Sequence, residues 1–223
     1  MNPLTFSPPP LSRLQKALFL QKKWFAPEFF GLENVDRAKP ALYVGNHTLY
    51  GTLDGPLMIL GLYQHNGVFL RSLGDHIHFQ IPLWRNLLWD NGCVAGTPEN
   101  CQQLMQAKEH ILVYPGGGRE VMKNDGEQYQ LIWKERTGFA RMAMQHGYDI
   151  VPFAAIGRMM PLIFITMPMI FNRRSVSYYN NRASVISICA AVMPLHPLRQ
   201  AWAYYLDLKN FTLLLVKELA HKR

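Results

Sequence analysis

The stretch Tyr43-Val-Gly-Asn-His-Thr-Leu-Tyr-Gly-Thr-Leu-Asp54 combines an apolar run, a turn and two residues suited to chemistry. The run from Ala41 to Val44 is typical of a buried strand, and it breaks at Gly45-Asn46. His47 and Asp54 follow, ahead of an apolar run from Pro56 to Leu62 that is typical of a helix. Loops at strand ends are open to ligands in α/β folds, so the pattern predicts a functional site here.

The pair His47 and Asp54 admits two interpretations. Histidine is the natural general base near neutral pH, and a nearby carboxylate can fix its tautomer and stabilise its charged form. Alternatively, His47 is an ordinary loop residue and Asp54 caps the helix that follows, because its position just before Pro56 is a good capping context. Spacing alone does not decide between them.

Composition and charge narrow the class of protein. The chain has 223 residues and is 49% hydrophobic, which suits one domain with a sizeable core. Its net charge of +8 suits an anionic partner, such as nucleic acid, a phosphate-bearing ligand or an anionic membrane surface. Three irregularly spaced cysteines (Cys93, Cys101 and Cys189) favour a reducing cytosol. No apolar run reaches the roughly 20 residues that span a bilayer, which predicts a soluble or peripheral protein.

Beyond the opening motif, short apolar strands alternate with helical stretches. Helices are predicted over residues 54–64, 81–90, 97–108 and 137–146, and strands over residues 67–71, 92–96, 110–114 and 150–155. Pro152 implies an edge or bulge position for the last of these strands. The alternation predicts an α/β fold with a largely parallel, mixed central sheet flanked by helices.

The N-terminal segment is predicted to be an appendage to this core. Residues 1–10 are Pro-rich and suggest an extended arm, and residues 11–25 carry apolar side chains at helical spacing with three lysines on the remaining surface. Such a helix can lie in a membrane interface or pack on the domain's own core. We therefore divide the chain into a segment 1–40 and a single domain 41–223, whose motifs lie in residues 41–157.

A second group of candidate residues, Pro115-Gly-Gly-Gly-Arg-Glu120, directly follows the clearest strand. Three glycines let the backbone approach a ligand closely and can point several N–H groups into one concavity. Arg119 adds a planar set of donors for phosphate or carboxylate, and all these donors could stabilise an oxyanion. The alternative is a flexible turn with an exposed Arg-Glu pair. Neither the phosphate loop of nucleotide hydrolases nor the dinucleotide fingerprint fits the spacing.

Taken together, these blocks resemble the glycerolipid acyltransferases, which comprise the PlsC-like lysophospholipid and glycerol-phosphate enzymes and their monoacylglycerol and diacylglycerol relatives. The resemblance covers about residues 40–157. The blocks are Asn46-His47 with Asp54, Tyr114-Pro-Gly-Gly-Gly-Arg-Glu120, Ile150-Val-Pro-Phe153, Leu70-Arg-Ser-Leu-Gly-Asp-His76 and Trp133-Lys-Glu-Arg-Thr-Gly-Phe139.

The resemblance implies that His47 is the general base for an acceptor hydroxyl and that Asp54 orients its ring. The resulting oxygen would attack the thioester of an acyl-CoA or an acyl-carrier protein, which is a cosubstrate, so neither a metal nor a bound cofactor is expected. Expected partners are that carrier, a lipid acceptor and the inner face of a membrane, on which a cytoplasmic protein would bind peripherally. The residues assigned to substrate or oxyanion binding are Gly116, Gly117, Gly118, Arg119 and Glu120, and those assigned to carrier phosphates are Arg71 and Lys123.

Two departures from the family pattern matter. The usual block has four residues between His and Asp, whereas six separate His47 from Asp54, so the pair can meet only if Gly51 and Thr52 bulge the turn. The phosphate-acceptor enzymes carry Pro-Glu-Gly-x-Arg, and Gly116 stands where that Glu would be. Pro-Gly-Gly with a downstream Glu is similar to the neutral-acceptor branch, which favours an acceptor such as a monoacylglycerol, a diacylglycerol or a long-chain alcohol over a lysophospholipid.

Four competing functions remain at this point. His76 and His78 would face one side of a strand beside Asp75 and could bind a metal, although no companion cluster has zinc spacing. Nucleic-acid binding fits the charge, but the basic residues are scattered and no binding motif is present. A lipid-binding protein without catalysis and a hydrolase are the other two. A serine nucleophile is disfavoured because there is no Gly-x-Ser-x-Gly elbow.

Overall fold

The computed structural model describes residues 5–47, 54–122, 124, 127 and 130–156, and the strand residues 187–190. The described helices are α1 (Leu11–Ala17), α2 (Phe19–Phe25), α3 (Asp54–Asn66), α4 (Pro82–Asp90), α5 (Pro98–Gln106), α6 (Gly117–Val121) and α7 (Gly138–His146). The described strands are β1 (Glu28–Phe30), β2 (Ala41–Gly45), β3 (Leu70–Gly74), β4 (Val94–Ala95), β5 (His110–Val113), β6 (Asp149–Ile156) and β7 (Ser187–Ala190).

These strands form one sheet in the order β1-β7-β6-β2-β5-β3-β4. Every neighbouring pair is parallel except β6 and β7, so the predicted α/β fold with a largely parallel, mixed sheet is confirmed. Strands β2 and β5 are adjacent near the middle, with Leu42 opposite Ile111 and Val44 opposite Val113. Because they run parallel, the residues that follow both strands emerge at the same edge of the sheet.

Both faces of the sheet are covered by apolar packing. Along β2, Tyr43 contributes to a core with the apolar side of α3, whereas Leu42 and Val44 contribute to a core with α5 and α7. All five residues of β2 are buried. Continuous burial is typical of a central parallel strand with helices on both sides, and it explains why the run has no polar alternation.

Most predicted elements are present, with shifts of a few residues. Helix α5 begins at the expected cap, where Thr97 Oγ1 accepts a hydrogen bond from the Asn100 N–H at 3.2 Å. Helix α7 ends at Gly147 in the left-handed conformation. Strand β3 begins three residues later than predicted. The apolar run 159–171 and the predicted closing helix 200–222 lie outside the described residues.

Two expectations about the sheet were wrong. Strand β6 lies between β2 and β7, not at an edge. Among the described residues, the pairing of β6 with β7 begins at Phe153 and does not include Pro152, which has no N–H to donate. His76 and His78 lie in a 3-10 helix, His76–Gln80, so they do not face one side of a strand. Within the described part of the chain, no group of His, Cys, Asp and Glu could hold a metal ion.

The N-terminal segment is joined more closely to the domain than a boundary at residue 40 suggests. Strand β1 pairs with β7, and Phe25 belongs to the main core. The predicted helix over residues 11–25 is divided in two at Leu18, with Leu14 packed against Leu60 and Phe69. None of the helices in the described ranges is long and apolar enough to cross a membrane.

Candidate active site

His47 and Asp54 lie together although six residues separate them. His47 follows the end of β2, and Asp54 is the first residue of α3. His47 Nδ1 lies 2.9 Å from Asp54 Oδ2. Asp54 is almost completely buried, and its other oxygen, Oδ1, accepts a hydrogen bond from the Gly55 N–H at 2.8 Å. Residues 48–53, where the sequence predicts a bulged turn, lie outside the described ranges.

The contact between His47 and Asp54 determines which ring nitrogen of His47 carries a hydrogen. An ionised carboxylate only accepts hydrogen bonds, so Nδ1 of His47 carries the hydrogen that Asp54 accepts. In the neutral ring Nε2 then holds the free lone pair and can take a proton. The side chain of His47 is 14% exposed, so it is partly accessible to a ligand while its carboxylate partner is not. The geometry is that of a general base oriented by an acid.

The ring of Tyr114 stacks on the imidazole of His47. The two ring centroids are 3.7 Å apart and the planes differ by 4°. Phe153 packs edge-on against Tyr114, with centroids 5.7 Å apart. The hydroxyl of Tyr114 is buried with no hydrogen-bond partner among the described residues. Burial, with added repulsion from Asp54 and Glu120, raises the pKa of that hydroxyl well above its usual value, so it stays protonated.

Asn46 fixes the chain just before His47. Its side-chain amide donates to the Ala155 carbonyl at 2.7 Å, and its Oδ1 accepts from the Ala155 N–H at 2.8 Å. These bonds extend the attachment of β2 to β6 by one residue after the strand has ended. At Gly45, an added Cβ would lie 2.5 Å from the Phe153 carbonyl oxygen, so only glycine allows this approach. The backbone is therefore fixed at Gly45 and Asn46, where the loop that carries His47 begins.

The glycine turn follows β5, the strand next to β2. Gly117 has φ +54°, a conformation that favours glycine, and its N–H donates to the Tyr114 carbonyl at 3.1 Å. Arg136 stabilises the turn by donating a side-chain hydrogen bond to the Pro115 carbonyl at 2.9 Å. A Cβ on Gly118 would meet no atom of the described residues within 4 Å.

Two other residues of this block have contacts within the protein. Arg119 donates to the Met122 carbonyl at 3.0 Å and pairs with Glu127, while about a third of its side chain remains exposed. Glu120 is 0% exposed, so the expectation that it binds substrate was wrong. Its carboxylate accepts hydrogen bonds from the backbone of His47 and Ile132, and an anion cannot stabilise an oxyanion.

The expectation that Arg71 contacts carrier phosphates was also wrong. Its side chain is 2% exposed, donates to the Gly92 carbonyl at 3.0 Å and pairs with Glu109 at 3.3 Å. The guanidinium also lies 4.2 Å from the ring centroid of Phe6. Burial lowers the pKa of Arg71, and Glu109 opposes that shift. Lys123 lies outside the described residues.

No role was predicted from the sequence for Tyr114, Asn46 or Arg136, although each belongs to a block of the resemblance. For two of them, position in the sequence could have indicated a role, because Asn46 directly precedes His47 and Tyr114 directly follows a parallel strand. Residues at those positions share one sheet edge. No local pattern indicates a stacked pair across two strands, because the contact depends on which strands are neighbours.

Comparison with known proteins agrees with this arrangement. The sequence profile of the Acyltransferase family matches residues 26–156, which is more than half of the chain and contains every described residue of the site. The chain belongs to the Acyltransferase family. The match begins within the N-terminal segment, in agreement with the pairing of β1 in the sheet.

Two groups of relatives are informative. The chain is 36% identical over 133 residues to phytyl ester synthase 2, chloroplastic, of Arabidopsis thaliana; the match covers 56% of this chain and 19% of that protein. It is 32% identical over 130 residues to the DGAT1/2-independent enzyme synthesizing storage lipids of Bos taurus, covering 58% of this chain and 38% of that protein. The chain thus spans well under half the length of these relatives.

A solved structure supports the same fold. The 1-acyl-sn-glycerophosphate (LPA) acyltransferase PlsC of Thermotoga maritima superposes with a TM-score of 0.62, covering 94% of this chain and 79% of that one. Sequence identity is 15%, so the similarity concerns the fold. The expected acyltransferase-like architecture is confirmed by this match together with the family profile.

Proposed function

We propose that the protein is an O-acyltransferase that moves a fatty acyl group from acyl-CoA or an acyl-carrier protein to a lipid hydroxyl. The observation that carries the proposal is the 2.9 Å contact between His47 Nδ1 and Asp54 Oδ2 at the sheet edge where the glycine turn also lies. This pair supplies a general base, and acyl transfer to a hydroxyl needs one.

In the proposed reaction, Nε2 of His47 removes the proton of the acceptor hydroxyl as its oxygen attacks the thioester carbonyl. A tetrahedral oxyanion forms, the carbon–sulfur bond breaks, and the proton returns from His47 to the departing thiolate. Asp54 holds the ring in the required tautomer and stabilises the imidazolium that forms in between. Neither a metal ion nor a bound cofactor enters the scheme.

The oxyanion requires hydrogen-bond donors, and the glycine turn is the candidate source. None of the described residues crowds Gly118, and the backbone N–H groups of the turn and the partly exposed guanidinium of Arg119 are the proposed donors. One such donor contributes about 2.7–4 kcal/mol to transition-state stabilisation in a water-poor site. Gly116 and Gly117 serve this arrangement through the backbone conformation of the turn.

We propose a neutral acceptor, such as a mono- or diacylglycerol or a long-chain alcohol. The names of the relatives refer to phytyl esters and storage lipids, both of which are products without a phosphate. Gly116 also replaces the Glu of the phosphate-acceptor pattern. The alternative acceptor is lysophosphatidic acid or another lysophospholipid.

The proposed setting is the inner face of a membrane, to which a cytoplasmic protein binds peripherally. The net charge of +8 suits both an anionic leaflet and a polyphosphorylated acyl carrier. Nucleic acid is not a proposed partner.

The test is an acceptor panel. The purified 223-residue chain is given radiolabelled palmitoyl-CoA in detergent with monoacylglycerol, diacylglycerol, a long-chain alcohol or lysophosphatidic acid, and esters and free fatty acid are separated by chromatography. We expect an ester from a neutral acceptor. Ester from lysophosphatidic acid alone would overturn the proposal of a neutral acceptor. Free fatty acid as the only product would indicate a hydrolase. The absence of any acyl product with either acyl-CoA or acyl-carrier-protein donors would overturn the proposed acyltransferase function.

A further inference from the structure

Glu120 connects three segments that are distant in sequence. It lies on α6, one helical turn beyond Gly116, and is completely buried. Its Oε2 accepts a hydrogen bond from the His47 backbone N–H at 3.2 Å, and its Oε1 accepts one from the Ile132 N–H at 3.4 Å. Ile132 directly precedes Trp133, which is fully buried in the core beside α5 and α7. One carboxylate thus joins the His47 loop, the glycine turn and a core-anchored segment.

A buried carboxylate is unfavourable unless donors compensate for its lost hydration. The N–H donors of His47 and Ile132 therefore help to stabilise the carboxylate in this position. Removal of the carboxylate would take away the acceptor of two part-buried N–H groups, and a fully buried group left unsatisfied costs about 1–3 kcal/mol.

The position of Glu120 also explains the glycine at residue 116. A Cβ on Gly116 would lie 2.3 Å from Glu120 Oε2 and 2.4 Å from Glu120 Cβ, distances that real Cβ atoms do not show. Glu120 therefore occupies the space into which a side chain at position 116 would project. The Pro-Gly-Gly sequence and the downstream Glu form one structural unit.

We propose that Glu120 is a positioning residue for the reaction, an inference that rests on the proposed function. Its carboxylate holds the His47 backbone at a fixed distance from the glycine turn. The base and the oxyanion donors consequently keep their relative position, and Glu120 itself touches no substrate. A shift of about 1 Å between reacting groups can lower a rate by about 10²-fold.

The test compares Glu120→Ala and Glu120→Gln with Glu135→Ala, which removes an exposed carboxylate from the segment 130–137. Steady-state kinetics use palmitoyl-CoA and the best acceptor of the panel, and thermal unfolding gives the folded fraction. We expect kcat per folded molecule to fall about 10–10²-fold in Glu120→Ala, with KM changed less than about threefold. Glu120→Gln keeps one acceptor oxygen, so its kcat should lie between those of Glu120→Ala and the parent. The kcat of Glu135→Ala should equal that of the parent.

Amide hydrogen exchange provides a second readout that does not depend on activity. The amides of both His47 and Ile132 should exchange roughly tenfold faster in Glu120→Ala, and one of the two should in Glu120→Gln, whereas those of Leu42 to Val44 should not change. The inference is overturned if these amides keep their protection in the folded Gln variant, or if kcat per folded molecule is unchanged. If the parent shows no acyl transfer, the proposed function fails and the exchange result alone decides the role of Glu120.

Discussion

His47 is held at three points by three side chains. Asp54 binds its ring nitrogen, Tyr114 covers a face of its ring, and Glu120 accepts its backbone N–H. Two of these partners come from the segment after β5, a strand that is distant in sequence from β2 but adjacent in the sheet. The imidazole therefore has little freedom to turn, as a general base requires.

The contribution of Tyr114 can be tested with two substitutions. Tyr114→Phe keeps the stacked ring and removes a buried hydroxyl with no partner among the described residues, so activity and melting temperature should stay the same or rise. Tyr114→Leu removes the flat surface on which the imidazole rests, so kcat should fall about tenfold or more while KM changes little. Equal kcat in the two folded variants would show that the ring does not position His47.

The pair of His47 and Asp54 was predicted from the sequence, but the residues that hold His47 in place were not. The polar residues His47 and Asp54 stand out between two apolar runs, so their position in the chain is visible without coordinates. The resemblance implied a ligand-binding role for Glu120 and a contact with carrier phosphates for Arg71. Both assignments were wrong because burial depends on packing between distant segments, and a charged residue gives no local signal that it is buried.

At the scale of elements, the site depends on parallel pairing of β2 and β5. That pairing brings the segments that follow Gly45 and Val113 to one edge, where His47 and Tyr114 meet. Alternating strand and helix patterns predict such a sheet but do not give the order of its strands. The placement of β1 beside β7 was not predicted, because residues 28–30 form too short a run to be recognised.

The amino end of β5 carries a buried histidine that should make stability depend on pH. His110 Nδ1 lies 3.4 Å from the Tyr43 hydroxyl and its Nε2 lies 3.2 Å from the Arg37 carbonyl. Burial lowers the pKa of His110 below 6.5, against smaller opposing effects of the Arg37 carbonyl, Glu109 and Asp36. The unfolded chain therefore binds a proton more readily, and the stabilisation by neutral His110 is lost as the pH falls below about 6.5.

This expectation is checked by urea unfolding at a series of pH values from 7.5 to 5.5. The free energy of unfolding should fall toward pH 5.5 in the parent, and less steeply in a folded His110→Asn variant. His65→Asn, which changes an exposed histidine on α3, should follow the parent. Parallel curves for all three proteins would contradict the assignment to His110.

At the scale of the whole molecule, α1 and α2 present a basic and apolar surface. Phe19, Leu20 and Trp24 are exposed, with 77% of Leu20 accessible, although Leu14 and Phe25 of the same segment are buried. Residues 5–27 contain four basic side chains and no acidic one. Such a surface suits an anionic bilayer, where each lysine or arginine contributes about 1 kcal/mol.

Vesicle flotation tests this surface. Lys16→Glu/Lys23→Glu should lower the binding to phosphatidylglycerol vesicles about tenfold or more, and salt should weaken binding by the parent. The control Lys134→Glu/Arg141→Glu makes the same change in net charge on other parts of the chain. An equal loss in both variants would mean that net charge, and not α1 and α2, determines the binding.

The rate of ester formation by His47→Ala tests the central claim most directly. The parent, His47→Ala and the control His65→Ala are compared with labelled palmitoyl-CoA and the preferred acceptor, after their melting temperatures have been measured. Because His47 is the proposed general base, we predict that His47→Ala loses about 10²-fold or more of the rate while His65→Ala keeps it. A folded His47→Ala variant that forms ester at the parental rate would contradict the account.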